Sequence, residues 1–250
     1  MRLWAGILVI AVTALAGCGS GEAPDGDGRS SELLVFAAAS LARPFEQMAD
    51  LFEERHEGAD LVLHIAGSQR LAAQVLEGAP AGVFASADRT QMQRVTEAGW
   101  TTGAAATFAR NRLAIVVAPG NPHRVSGPAD LARADLTVVL ADPSVPVGAY
   151  TRQMLQRADV EVSPASLELD TRSVLSRVAL GEADAGVVYT SDLHDRDDVT
   201  AVALPDAVNV TAEYHIAVLE PGGPTAEAFV DLVRSPEGTA ILARAGFRSP

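Results

Sequence analysis

Twice near its start the chain makes the same move. The apolar run Leu33-Leu34-Val35-Phe36 gives way to three alanines, Ser40 and then Pro44. A second run, Leu61-Val62-Leu63-His64-Ile65 after Asp60, gives way to Ala66-Gly67 and Ser68. Short apolar runs read as buried strands. A Ser just before a helical pattern reads as an N-cap, and Pro in the first turn supports it. A strand that feeds a helix, repeated, leaves few folds open: a parallel or mixed sheet with helices on its faces. Small residues at the strand ends also let a ligand approach the backbone. A helix start offers unbonded N–H groups and about half a positive charge. It can therefore hold an anion without a cationic side chain.

The alternation continues. Leu41, Phe45, Met48, Leu51 and Phe52 fall at helical spacing, predicting a helix over 41–57 that Gly58 ends. A second helix runs from Ser68 to about residue 77 and stops at Gly78-Ala79-Pro80. Residues 83–86 read as a third strand, with Asp88 or Thr90 capping a helix to residue 98. A strand over 113–117 closes at Pro119-Gly120-Asn121-Pro122, where we place a lobe boundary. Next come a short helix over 128–131, a strand over 136–140, a loop over 142–148 and a helix over 149–158. A strand over 167–170, a helix over 172–180 capped by Thr171, and strands over 185–189 and 199–204 follow. A long strand over 213–219 is expected to cross back to the first lobe, and helices over 225–234 and 236–245 close the chain. The expected domains are a signal over 1–17, a tether over 18–31, one lobe from 32–112 with 218–250, and a second from 113–217.

Composition narrows the function. A chain of 250 residues can bury the cores of two lobes. Its formal net charge of -13 and its lack of any basic stripe exclude nucleic acid as a partner. Every basic residue is Arg; there is no Lys. An acidic molecule cannot steer an anion by its overall field, so an anion site here must be local and built from oriented dipoles. Cys18 is the only cysteine, which leaves no disulfide and no thiolate metal cluster. The five histidines show no metal-ligand spacing.

The N-terminus reads as an export signal: Met1-Arg2, then an uncharged apolar run too short for a membrane span. It ends in Leu15-Ala16-Gly17-Cys18, which resembles the lipobox of bacterial lipoproteins. That resemblance implies cleavage before Cys18 and a lipid on its thiol, which anchors the chain to the outer face of the membrane. Residues 19–31 are Gly-, Ser-, Asp- and Glu-rich and read as a tether.

Four positions share one logic, a small or hydroxyl residue at a strand end just before a helix: Ser40, Ser68, the Val147-Gly148 loop and Thr171. Tyr189 adds a phenol at a fifth strand end. Singly, each has a plainer reading, as a helix cap or as packing. Together they suggest more, because ligands in open α/β sheets collect at the carboxyl ends of strands.

The combined pattern resembles the periplasmic molybdate-binding proteins of molybdate ABC transporters. The resemblance rests on Val35-Phe-Ala-Ala-Ala-Ser-Leu41, Gly67-Ser68 with Leu71-Ala72, and Gly78-Ala-Pro80 with Val83-Phe-Ala-Ser-Ala-Asp88. It continues through Asn111-Arg-Leu-Ala-Ile-Val-Val-Ala-Pro119, Ala141-Asp-Pro143 with Val145-Pro-Val-Gly148, Asp170-Thr-Arg172 and Gly186-Val-Val-Tyr-Thr-Ser-Asp192. It covers residues 32–248.

The resemblance implies two α/β lobes of the periplasmic-binding-protein type II fold, joined by two crossing strands, with the oxyanion in the cleft. It implies a monomeric, non-enzymatic binding protein that delivers molybdate, and tungstate with it, to a membrane permease, and that needs no cofactor. Ser40 and Ser68 would donate hydroxyl and backbone N–H, Val147 and Thr171 backbone N–H, and Tyr189 its hydroxyl. Molybdenum would be present only as its oxyanion, with no direct coordination. Two departures bear on specificity: Gly82 stands where the family usually has Asp, and Gln69-Arg70 stand where it often has Ser or Thr. Arg70 is expected to place a positive charge near the cleft. Sulfate or thiosulfate is the alternative cargo. An exported serine hydrolase using Ser40 or Ser68, with His64 as base, is the alternative of another class, although the chain has no G-x-S-x-G elbow. A tethered anion sensor is a third reading.

Overall fold

A computed structural model describes residues 31–250. The signal, Cys18 and the tether up to residue 30 lie outside the described residues. The strands are β1 (Ser31–Ala38), β2 (Ala59–Ala66), β3 (Val83–Ser86), β4 (Ala106–Val117), β5 (Val138–Ala141), β6 (Ser166–Glu168), β7 (Ala185–Tyr189), β8 (Thr200–Ala203) and β9 (Thr211–Val218). The α-helices are α1 (Ala42–Arg55), α2 (Ser68–Leu76), α3 (Arg89–Glu97), α4 (Pro146–Arg157), α5 (Thr171–Ala179), α6 (Gly223–Arg234) and α7 (Pro236–Arg244).

The nine strands form a mixed sheet in the order β2-β1-β3-β9-β4-β7-β5-β6, with β8 also on β4. β1 runs parallel to β2 and β3, and β5 parallel to β6 and β7. β9 is antiparallel to β3 and β4. The mixed sheet with flanking helices is the α/β class expected from the alternation, and its two halves fit the two-lobed fold that the resemblance implies.

β4 spans both halves of the sheet. Residues 106–112 pair with β9, whereas 113–117 pair with β7 and 114–117 with β8. The strand begins seven residues before its predicted start. Arg110, Asn111 and Arg112 hide it as an apolar run, but Arg110 and Arg112 turn outward while Phe108, Ala109, Asn111 and Leu113 are buried. β9 pairs only with β3 and the first half of β4, so the chain has already returned across the molecule when β9 begins.

The core follows from the patterns. β3, β5 and β7 are buried at every residue, as expected of strands covered on both faces. α1 packs Phe45 and Phe52 edge-on against Phe229 of α6, at ring-centre distances of 5.9 and 5.6 Å. Each such buried ring contributes about 1.5–3 kcal/mol, which ties the chain's last helices to its first.

Three expected caps move. Gly67 caps α2, leaving Ser68 as its first residue. Asp170 caps α5 by accepting from the Ser173 N–H, so Thr171 is likewise a first residue rather than a cap. Ser40 sits inside a 3-10 turn, Ala39–Leu41, and caps nothing. α4 begins at Pro146 rather than residue 149, because Pro fits the first turn, where its missing N–H has no partner to lose.

Candidate functional site

The displaced caps define the site. Ser40, Ser68, Val147, Thr171 and Tyr189 all line one small cavity of ≈ 20 Å³. Its remaining walls come from Ala38, Ala39, Gly67, Ala87, Val145, Pro146 and Asp170. A single water needs about 10–15 Å³, so the cavity is of the size of a compact ion rather than of a sugar or peptide.

Three helices present their first turns there: α2 through Ser68, α4 through Val147 and α5 through Thr171. First-turn N–H groups have no acceptor within their helix, and each helix adds partial positive charge at this end. The close approach depends on glycine. A Cβ at Gly148 would lie 2.0 Å from the Asp142 carbonyl oxygen. One at Gly67 would lie 2.8 Å from the Leu169 carbonyl oxygen.

The Ser68, Ser40 and Thr171 hydroxyls each have a polar neighbour. Ser68 Oγ accepts from the Ala87 N–H at 3.0 Å, which leaves its own proton free to donate. Ser40 Oγ lies 2.8 Å from Tyr214 Oη. Thr171 turns its hydroxyl away to donate to Asp192 Oδ2 at 2.6 Å, so this residue offers the cavity its backbone. The same Asp192 oxygen accepts from the Tyr189 N–H at 2.9 Å. Burial pushes the Asp192 carboxyl up to about 6, against the lowering effect of these two bonds.

Tyr189 is 1 % exposed, and its hydroxyl is buried with no hydrogen-bond partner among the described residues. Burial, and then Tyr214, Tyr150 and the carboxylates of Asp88 and Asp192, hold the phenol well above its usual range. It stays neutral and can donate.

No cationic side chain lines the cavity among the described residues. Arg70 is exposed and lines an outer groove with Gln69, Glu168 and Leu169, so the expected positive charge does not reach the cavity wall. Gln69 Nε2 instead donates to the Leu169 carbonyl across the cleft at 3.1 Å. Gly82 is also remote: a Cβ there would meet Gly222 Cα at 2.7 Å, which is a packing requirement of the turn after β9. His64 packs at a tilt against Phe36, with ring centres 4.9 Å apart, and lines a separate surface groove with Gln74 and Glu77.

Sequence reasoning missed the supports: Asn111, Tyr214 and Asp192. Asp170 also lines the cavity, but its Oδ1 accepts from the Ser173 N–H and hydroxyl.

A mixed two-half sheet with a small donor-lined cavity between helix N-termini defines a solute-binding protein. The family model described as bacterial extracellular solute-binding protein matches residues 33–248, and the chain belongs to that family. It is 41% identical over 246 residues to the molybdate-binding protein ModA of Mycobacterium tuberculosis H37Rv, covering 96% of this chain and 94% of that protein. It is 32% identical over 263 residues to the molybdate-binding protein ModA of Escherichia coli K12, covering 98% of each. Among solved structures it is similar to the periplasmic molybdate-binding protein of Azotobacter vinelandii, with a TM-score of 0.76 at 22% identity over 87% of this chain and 99% of that one.

Proposed function

We propose that this chain captures molybdate, and tungstate with it, outside the cytoplasmic membrane and delivers it to an ABC importer. The observation that carries this reading is the convergence of three helix N-termini and the Ser40, Ser68 and Tyr189 hydroxyls on one cavity with no cationic side chain in its wall. Such a lining is made of donors. A fully deprotonated tetrahedral dianion is made of acceptors. Each bond to a charged group contributes roughly 1.5–3 kcal/mol, so five to seven give on the order of 10 kcal/mol. A micromolar to nanomolar dissociation constant needs about 8–12 kcal/mol.

Ser40 and Ser68 donate hydroxyl and backbone N–H to the ion, Val147 and Thr171 backbone N–H, and Tyr189 its hydroxyl. Hydrogen phosphate needs an acceptor for its proton, and none of the five proposed ligand positions carries a carboxylate; the carboxylate among the described wall residues, Asp170, caps α5 through Oδ1. The relatives named for molybdate support this cargo over sulfate or thiosulfate. We read the protein as a binder rather than an enzyme, and its membership of a solute-binding family supports this.

The lobes on this reading are 32–112 with 211–250, and 113–210. The expected boundary at 218 moves back to the start of β9, because β9 pairs only with β3 and the first half of β4. Cys18 carries the lipid anchor, and the binder works as a monomer. No described helix is long and apolar enough to cross a membrane. Cys18→Ser should release the protein to the soluble fraction on cell fractionation.

Calorimetric titration tests the cargo. Molybdate and tungstate should bind at micromolar or tighter, and sulfate and phosphate orders of magnitude more weakly. Tight sulfate binding would keep the fold and move the function to sulfur uptake. No binding of any of the four would remove the oxyanion site.

A further inference from the structure

We infer that Asn111 and Tyr214, neither of which lines the cavity, are positioning residues that fix the polarity of the Ser40 hydroxyl and make it a donor to the bound oxyanion. This rests on the functional reading above. Asn111 is fully buried on β4. Two donors identify its carbonyl end: the Arg112 backbone N–H and the Thr190 hydroxyl, each 2.9 Å from Oδ1. A backbone N–H can only donate, so the opposite end is the amide nitrogen. That nitrogen faces Ser191 Oγ at 2.7 Å and Tyr214 Oη at 3.4 Å.

An amide NH2 accepts nothing. Among the described residues Tyr214 Oη therefore has one acceptor within reach of its proton, Ser40 Oγ at 2.8 Å. Once Ser40 Oγ receives that proton, its own proton must point elsewhere, and Ser40 forms part of the cavity wall. Edge contacts with Phe108, Tyr189 and Phe247 lock the Tyr214 ring. Burial, and then the Asp192 charge, hold its phenol well above the usual range, so the proton is always there to give. Ser68 receives the equivalent instruction from the Ala87 backbone N–H. For Ser40 the instruction comes through side chains, and mutation can therefore change it.

A double-mutant cycle read by molybdate titration separates positioning from mere packing. Tyr214→Phe should weaken binding about fivefold, the worth of one neutral hydrogen bond. In a Ser40→Ala background the same change should cost nothing further. Equal losses in both backgrounds overturn the inference.

Asn111→Asp supplies a second arm that does not depend on Tyr214→Phe folding. The new carboxylate accepts the Tyr214 proton, Tyr214 then accepts from Ser40, and the serine turns its lone pairs on the ion. Charge repulsion is common to both backgrounds, so the loss should be greater with Ser40 present than in Ser40→Ala. An equal factor in the two overturns the inference. Wild-type protein that binds no molybdate overturns both this inference and the functional reading. Binding with background-independent losses overturns the inference alone.

Discussion

A tyrosine hydroxyl that is buried without a partner is costly unless something supplies an acceptor. Tyr189 is in that position at the cavity wall. Tyr189→Phe should weaken molybdate binding about tenfold to a hundredfold, the worth of one hydrogen bond to a charged group. It should leave the unliganded protein at least as stable, which thermal unfolding beside the titration would check. Asp192 carries a second prediction. Its carboxyl is held at about 6 by burial, above the ordinary 3.8, so between those values the folded state binds more protons than the unfolded. Stability from this group is therefore fully present below about pH 4 and is lost as pH rises to about 6, by at most about 3 kcal/mol before solvent screening of the half-buried side chain. Both of its bonds go to Oδ2, so Asp192→Asn can keep them. The variant should gain on wild type in urea midpoint across pH 4–6 and run parallel outside that range. At this scale the five candidate positions were legible because small and hydroxyl residues at strand ends are a local pattern. Asn111 and Tyr214 were not: a polar residue between two arginines, or a tyrosine within a strand, announces a partner only once β4 and β9 are paired.

At the scale of elements, the candidate site is three helix starts that line one cavity. The sequence placed those starts within a few residues but misassigned their caps. Ser40, Ser68 and Thr171 read as caps because each is a hydroxyl before a helical pattern. In the fold, Gly67 and Asp170 take that role, which frees Ser68 to donate and turns Thr171 toward Asp192. The late start given to α4 has a similar origin: Val145-Pro146-Val147-Gly148 looks like loop chemistry, yet Pro suits the first helical turn. Gly148 is where this arrangement is most exposed to mutation. Gly148→Ala puts a methyl 2.0 Å from the Asp142 carbonyl oxygen, and backbone cannot yield as a side-chain tip would. The change should cost about 1–3 kcal/mol of stability by overpacking. It should also weaken molybdate binding, because the first turn of α4 is pushed off the cavity. Urea unfolding and titration of the same preparation would measure both.

Across the whole molecule, the proposed function asks an acidic chain to hold an anion, which requires keeping the ion away from the net charge and among oriented dipoles. The formal charge is -13, yet the cavity wall contains one carboxylate, and that group is engaged as a helix cap. β4 runs through both halves of the sheet, and Gln69 reaches across the cleft to the Leu169 carbonyl. The architecture was legible from the strand-helix alternation. The crossing in β4 was not, because its first half is broken by Arg110 and Arg112, whose outward direction only the pairing with β9 reveals. The central claim is that the ion sits among Ser40, Ser68, Val147, Thr171 and Tyr189. Diffraction from crystals grown with molybdate, recorded at the molybdenum absorption edge, tests it most directly. One strong anomalous peak bounded by those five residues is expected. A peak instead in the outer pocket among Arg43, Arg172 and Arg196, or none within the protein, would contradict it.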